Sequence, residues 1–302
     1  MKKVSAGKGL LSATFDVPYL DDSFNRGTRF DRCGVFTSLK FDGKEMCGEW
    51  FEKRNPLAHD CVCGPSEEFI TTGYEETPVG GSFVKIGVGR LLKKDDSPYD
   101  RFKLYEIADP GVMEIEKEED RVCFRHTLDG AYSYSKTIAF EEDGSMLIRH
   151  RLENTGGSPV KTHVYNHNFF TLERFAVDSG RAMDLNFAPC GHWREIRENV
   201  SATPDGFRFS APMVKERGTA FMGDVHAASQ ESPEGLKPLD GFKACVSDSE
   251  TGLAVRIMPQ CPVEFSVFWS NHRICCIEPY TPLDIKPGGA YEWSIRYWFF
   301  YL

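Results

Sequence analysis

Residues 133–157 read SYSKTIAFEEDGSMLIRHRLENTGG, and they decide the fold class. Polar and apolar residues alternate at period two on either side of Asp143-Gly144. That alternation marks half-buried strands, because successive side chains of an extended chain point to opposite faces. Asp-Gly is the dipeptide that most readily closes a tight hairpin. The segment therefore reads as two antiparallel strands and a turn. The same pattern recurs at 34–43, 121–128, 244–258, 263–269 and 291–302, with a second Asp-Gly turn at Asp42-Gly43. Val122, Phe124 and His126 fall on one face of their strand, and Val263, Phe265, Val267 and Trp269 on one face of theirs. Helical periodicity with caps is almost absent; SPEGLK and TGYEE are too short to matter.

The expectation is an all-β chain of twenty or so short strands with very little helix. No composition break or Ser/Gly/Pro linker divides it, so residues 1–302 read as one domain, a large antiparallel β-sandwich. No repeat of constant period occurs, which argues against a propeller.

Of the 302 residues 41% are hydrophobic and 13% aromatic, ample for a packed core. The 36 Lys and Arg against 45 Asp and Glu leave a formal charge of −9, which disfavours nucleic acid or an anionic membrane surface as partner. No apolar run approaches the roughly 20 residues of a membrane span. MKKVSAGKGLLSATFDVPYL lacks the apolar core of a signal peptide, and the glycosylation triplet Asn199-Val200-Ser201 means little without one. The ten cysteines are scattered without a CxxC pair, and Cys61-x-Cys63 and Cys275-Cys276 do not suit a tetrahedral metal site. Reduced thiols in a soluble cytoplasmic protein are expected.

Three stretches carry candidate chemistry. In HVYNHNFFTL (163–172), His163, Tyr165, His167 and Phe169 share one side of an extended chain, and Val164, Asn166, Asn168 and Phe170 the other. A row of imidazole, phenol, imidazole and benzene suits a sugar cleft, where rings stack on C–H groups and polar tips bind hydroxyls. Satisfied core or edge residues are the alternative. His163 and His167 lie roughly 13 Å apart at the usual strand rise, too far to share a metal. In NHRICCIEPYTPLDIKPGG (271–289), Glu278 follows an apolar run and Pro279 is expected to break the strand's hydrogen bonding. Partial burial there raises a carboxylate pKa toward that of a general base, and a surface Glu at a strand–loop junction is the alternative. In FVKIGVGRLLKKDD (83–96), Gly87-Val88-Gly89 lacks the remainder of a phosphate loop. Glycines that let the backbone approach a ligand beside Arg90, or a strand, a bulge and a basic face, remain alternatives.

LIRHRLENTGGSPVKTHVYNHNFFTLE resembles the segment of galactose mutarotases (aldose 1-epimerases) and hexose-phosphate mutarotases that ends in Asn-His-x-Tyr-Phe-Asn-Leu, here Asn166 to Leu172 with Phe169 and Thr171 as departures. LDGFKACVSDSETGLAVRIMPQCPVEFSVFW and RICCIEPYTPLDIKPGGAYEWSIRYWF are similar to later motifs of that family, in order, over about residues 30–302. The resemblance implies a galactose mutarotase-like supersandwich and a cofactor-free interconversion of α and β anomers of a monosaccharide or close derivative. It implies His167 as general acid, Glu278 as general base, Asp240 as a hydroxyl-binding residue, and Tyr165 and Phe169 as cleft walls. Arg90 matches the family's Arg, Ile86 stands where relatives have His, and His163 has no assigned family role. A monomer or homodimer without metal is expected. Ile86 motivates an alternative, a carbohydrate-binding protein on the same scaffold without turnover.

Overall fold

The 133–157 hairpin forms as read. In a computed structural model, which describes residues 2–17 and 23–302, Tyr132–Phe140 pairs antiparallel with Ser145–Asn154 from Tyr132↔Asn154 to Phe140↔Met146. Asp42 and Gly43, both at positive φ (50° and 75°), close the second hairpin as the primed turn type requires. The described residues contain twenty-five strands and only two three-residue 3-10 turns, Lys215–Arg217 and Ala228–Gln230.

Two large antiparallel sheets dominate. A ten-stranded sheet runs from Val200–Thr203 at one edge to Val112–Lys117 at the other. Ala290–Tyr301 lies in its middle, between Leu253–Pro259 and Ser145–Asn154. The six-stranded sheet has the order Pro189–Glu195, Ala220–Ala227, Phe265–Ser270, Cys275–Ile285, Val160–His167, Ser66–Phe69. Between the sheets one apolar cluster includes Ile148, Val255 and Phe299 from the larger and Val164, Phe268 and Ile277 from the smaller. Phe207 stacks on Phe268 across the interface, with ring centroids 3.9 Å apart. Period two thus sends alternate residues of the smaller sheet into the core and leaves the others on its outer face.

Cys275–Ile285 corrects one expectation. The strand does not end at Pro279 but continues through Pro279 and Pro282. The amide of Glu264 donates to the Tyr280 carbonyl, so Tyr280 and Pro282 turn their backbone groups toward Phe265–Ser270, and Pro279 toward Val160–His167. The ladder with Val160–His167 stops at Tyr165↔Tyr280, and the ladder with Phe265–Ser270 at Phe265↔Tyr280. Each proline therefore lies just past the pairing its missing N–H would have served.

Ser66–Phe69 carries a denser polar load. Glu67 and Glu68 are both fully buried, on opposite faces of this edge strand. Glu67 points between the sheets, where it ion-pairs with Lys136 and accepts hydrogen bonds from Asn166 Nδ2 (2.8 Å) and His150 Nε2 (3.0 Å). Lys136 also lies 3.5 Å from Asp31, whose carboxylate accepts from Tyr134 Oη. Burial alone would raise the Glu67 pKa, but Lys136 and His150 hold it at about 2. Removing the cation from such a network leaves buried carboxylates without their countercharge. Lys136→Met is expected to cost about 3–5 kcal/mol in urea denaturation. A loss below about 1 kcal/mol would show that Glu67 does not depend on this partner.

Candidate functional site

The outer face of the six-stranded sheet floors a cleft of about 1090 Å³. His167 ends Val160–His167 and Glu278 lies in the neighbouring strand, just where the ladder between them has stopped. Their side chains converge: His167 Nε2 is 3.1 Å from Glu278 Oε1, and both side chains are under a tenth exposed. The other imidazole nitrogen, Nδ1, faces Cys276 Sγ at 3.3 Å, and the Asn168 amide donates to the same sulfur at 3.2 Å. Phe169 stacks flat on the His167 ring, 3.8 Å between centroids.

Burial decides the protonation of this pair. It pushes Glu278 up to about 8, against the opposing pull of Arg29 and Arg101. Burial also holds His167 well below the usual histidine range, with Arg29 adding to the effect. Near neutral pH the free cleft therefore holds a protonated carboxyl beside a neutral imidazole, one proton for two groups.

Glu68 organises the cationic side of the cleft. Its carboxylate accepts from Arg29 Nε (2.7 Å), Tyr165 Oη (2.5 Å) and Lys85 Nζ (3.3 Å), with Arg101 Nη1 at 3.6 Å. Arg29 Nη2 also donates to Tyr165 Oη at 2.8 Å. Burial alone would raise Glu68, yet Lys85, Arg29 and Arg101 hold it at about 2. Tyr165 in turn stacks on Tyr280 at 4.4 Å, its cross-strand neighbour. Phe265, Trp269, Trp50 and Phe221, with Val267, complete an apolar, largely aromatic lining, and Pro98–Phe102 forms part of the rim.

Of the residues singled out from the sequence, His163, His167, Phe169 and Glu278 line the cleft, with Tyr165 packed beneath. His163 pairs with Glu264 through Nε2. Asn166 and Asn168 turn away from the cleft as period two requires. Asn166 bonds the Glu67 carboxylate, and Asn168 donates to the Ile277 carbonyl and accepts from Tyr297 Oη. Arg90 and Ile86 do not belong to the cleft; they border a separate depression beside Tyr132 and Asn154. Gly87 and Gly89 serve the hairpin between Ser82–Lys85 and Gly89–Leu92, and Arg90 Nη2 donates to the Asp129 carbonyl. A Cβ on Gly89 would sit 2.2 Å from the Asp109 carbonyl oxygen, so backbone contact, with no ligand involved, accounts for that glycine. Asp240 also lies elsewhere, in an exposed turn that leads to Ala244–Asp248 of the larger sheet. The aspartate of Ala220–Ala227 that does line the cleft is Asp224, held at φ 53° in the irregularity between Met222 and Val225.

Glu68, Arg29, Arg101, His59 and Asp224 were not singled out from the sequence. Two acids inside the strand SEEF were a usable signal, since buried carboxylates demand cations. His167, Cys276 and Glu278 have ligand atoms within 4.8 Å of one another, as a metal site would. The thiol and the carboxylate, however, face opposite nitrogens of one ring, so a single ion cannot use all three. The ten cysteines are free thiols. No helix among the described residues is long and apolar enough to cross a membrane.

No family model and no curated relative matches the chain. Solved structures do. A galactose mutarotase related enzyme from Lactobacillus acidophilus superposes with a TM-score of 0.59 at 10% identity, over 99% of this chain and 97% of that one. A galactose mutarotase-like protein from Clostridium acetobutylicum gives 0.55 at 13% identity, over 99% and 95%. An aldose epimerase homologue from C. elegans gives 0.53 at 12% identity, over 100% and 99%. At these identities the likeness is one of fold: the chain has the galactose mutarotase-like β-sandwich.

Selective ¹³C labelling of glutamate tests the electrostatics of the pair. The Glu278 carboxyl is expected to titrate near pH 8, and the His167 ring to stay neutral well below pH 6.5. A Glu278 midpoint below pH 6 would contradict the burial argument.

Proposed function

We propose that the chain interconverts the α and β anomers of an aldose or a close derivative, using His167 and Glu278 as a cofactor-free acid–base pair. The contact that carries this reading is the 3.1 Å approach of His167 Nε2 to Glu278 Oε1 on the floor of an aromatic-walled cleft. In a cyclic aldose the anomeric hydroxyl and the ring oxygen sit on the same carbon. A base for one and an acid for the other must therefore be close neighbours, as these are.

The chemistry needs one proton in and one out. One group removes the proton from the anomeric O1–H while the other protonates the ring oxygen; the C1–O5 bond breaks and the aldehyde forms. Rotation about C1–C2 and reclosure from the opposite face give the other anomer. The reverse direction exchanges the two roles, so both groups need pKa values that let them trade a proton near the working pH. In the free cleft burial favours the proton on Glu278. Transfer of that proton across the 3.1 Å contact gives imidazolium and carboxylate, the arrangement in which His167 is acid and Glu278 base. Phe169, flat against the imidazole, restricts its rotation and keeps Nε2 toward the carboxyl. Cys276 occupies Nδ1 from the other side.

Trp269, Phe265 and Tyr280 offer ring faces to the C–H side of a sugar, and Arg101, His59 and Asp224 offer hydrogen bonds to its hydroxyls. Arg29 is engaged by Glu68 and Tyr165, and therefore acts as a fixed positive potential beside the pair. Ile86 lies outside the cleft and borders a different depression. A soluble cytoplasmic sugar enzyme remains the reading that fits the composition best.

Anomer exchange can be followed by NMR on a panel of hexoses, pentoses and their phosphates. The wild-type protein is expected to accelerate exchange of at least one of them. Glu278→Gln and His167→Asn are each expected to lower turnover about 10²-fold or more, with far-UV CD and melting unchanged or improved. Binding without acceleration over the panel would favour the non-catalytic carbohydrate-binding alternative. Wild-type rates in both variants would reject the pair.

A further inference from the structure

We propose that Cys190, His226 and Glu231 form a site for a divalent cation of the zinc type at the outer edge of the six-stranded sheet. Cys190 lies on the edge strand Pro189–Glu195, directly across from His226 in the register with Ala220–Ala227. The 3-10 turn Ala228–Gln230 folds the chain back so that Glu231 returns to the Nε2 edge of the His226 ring. That return is fixed by buried Gln230. Its carboxamide accepts from the Ala227 amide (2.9 Å) and donates toward the carbonyls of Lys237, Val263 and Glu264 (2.9–3.2 Å). The thiol sulfur, an imidazole nitrogen and a carboxylate oxygen then lie within 4.8 Å of one another.

Hydrogen bonding around His226 points to a cation. Nδ1 is 2.5 Å from the Asp224 carbonyl oxygen, an acceptor, so Nδ1 carries the proton. Nε2 is 3.2 Å from the Glu231 carboxylate, a second acceptor. A neutral imidazole has one N–H and cannot satisfy both. With the proton on Nδ1, Nε2 presents its lone pair toward the Glu231 carboxylate, and a metal ion between the two acceptors satisfies both. The Cys190 sulfur lies within 4.8 Å of the imidazole and carboxylate ligand atoms, so a metal ion there has three donors to use. An imidazole anchored through Nδ1–H to a backbone carbonyl is also the arrangement that orients metal-bound histidines. Sulfur, nitrogen and carboxylate oxygen suit zinc and cobalt, and a three-ligand set leaves a fourth position for water. Bonds of about 2.0–2.3 Å require the widest gap to contract. Glu231 can supply that movement by rotation, because its side chain is 63% exposed.

The site is separate from the cleft but joined to it. The carbonyl that anchors His226 belongs to Asp224, whose side chain lines the cleft from the irregular stretch of the same strand. The metal proposal does not depend on the sugar chemistry.

Cobalt(II) added to the full-length, chelator-treated and reduced protein tests it. The expected result is one equivalent bound per chain, with a thiolate-to-cobalt charge-transfer band in the near ultraviolet. Cys190→Ser should abolish that band, and Glu231→Gln, a change at an exposed position, should weaken binding by roughly tenfold or more. Cys276→Ser should leave both band and affinity unchanged. Zinc should raise the melting temperature of the wild-type protein and not that of Cys190→Ser. Absence of the band at millimolar cobalt, or a band that survives Cys190→Ser, would overturn the site.

Discussion

Two adjacent carboxylates, Glu67 and Glu68, are buried in one four-residue edge strand and face opposite ways. An isolated buried carboxylate is too costly to keep ionised, so each needs cations or donors delivered from elsewhere in the chain. Glu67 takes Lys136 and His150 from the ten-stranded sheet and Asn166 from its neighbouring strand. Glu68 takes Arg29, Lys85 and Arg101 from loops and a small sheet, and Tyr165 from the same neighbouring strand. The strand carrying His167 is thus gripped on both faces, one residue after another. The end that carries His167 is held in place without pairing to the strand that carries Glu278, and the opening between them leaves room for the two side chains to meet.

The same placement sets the chemistry. Glu68 neutralises much of the charge of Arg29 and Arg101, which reduces their capacity to draw a proton off Glu278. Burial then outweighs their residual pull, and Glu278 keeps its proton to about pH 8. Without Glu68 the two guanidiniums would pull the Glu278 pKa lower.

Much of this was legible locally. Period two in 163–170 assigned His163, His167 and Phe169 to one face and Val164, Asn166 and Phe170 to the other, because strand geometry forces that alternation whatever the tertiary context. The apolar run before Glu278 signalled its burial. What escaped was set by contacts between remote segments: Arg29 meets Tyr165 across 136 residues, and Lys136 meets Glu67 across 69. No window of sequence contains such a pair. Arg90 misled for a related reason. Its flanking glycines signal a backbone constraint, and a hairpin satisfies that constraint as well as a ligand does. Pro279 misled because a proline stops pairing on one side only, so a strand between two ladders continues past it.

The pH dependence of kcat/KM for anomer exchange tests the one-proton pair most directly, because that ratio reports the ionisations of the free protein. In the proposed mechanism a pair holding a single proton is active, while loss of that proton or gain of a second silences it. Activity above the uncatalysed rate should therefore fall as pH rises through about 8, where Glu278 ionises. It should persist unchanged as pH drops through 6.5, because burial keeps His167 neutral there. Activity that halves near pH 6.5 on the acid side, or that is undiminished well above pH 8, would contradict the shared-proton pair.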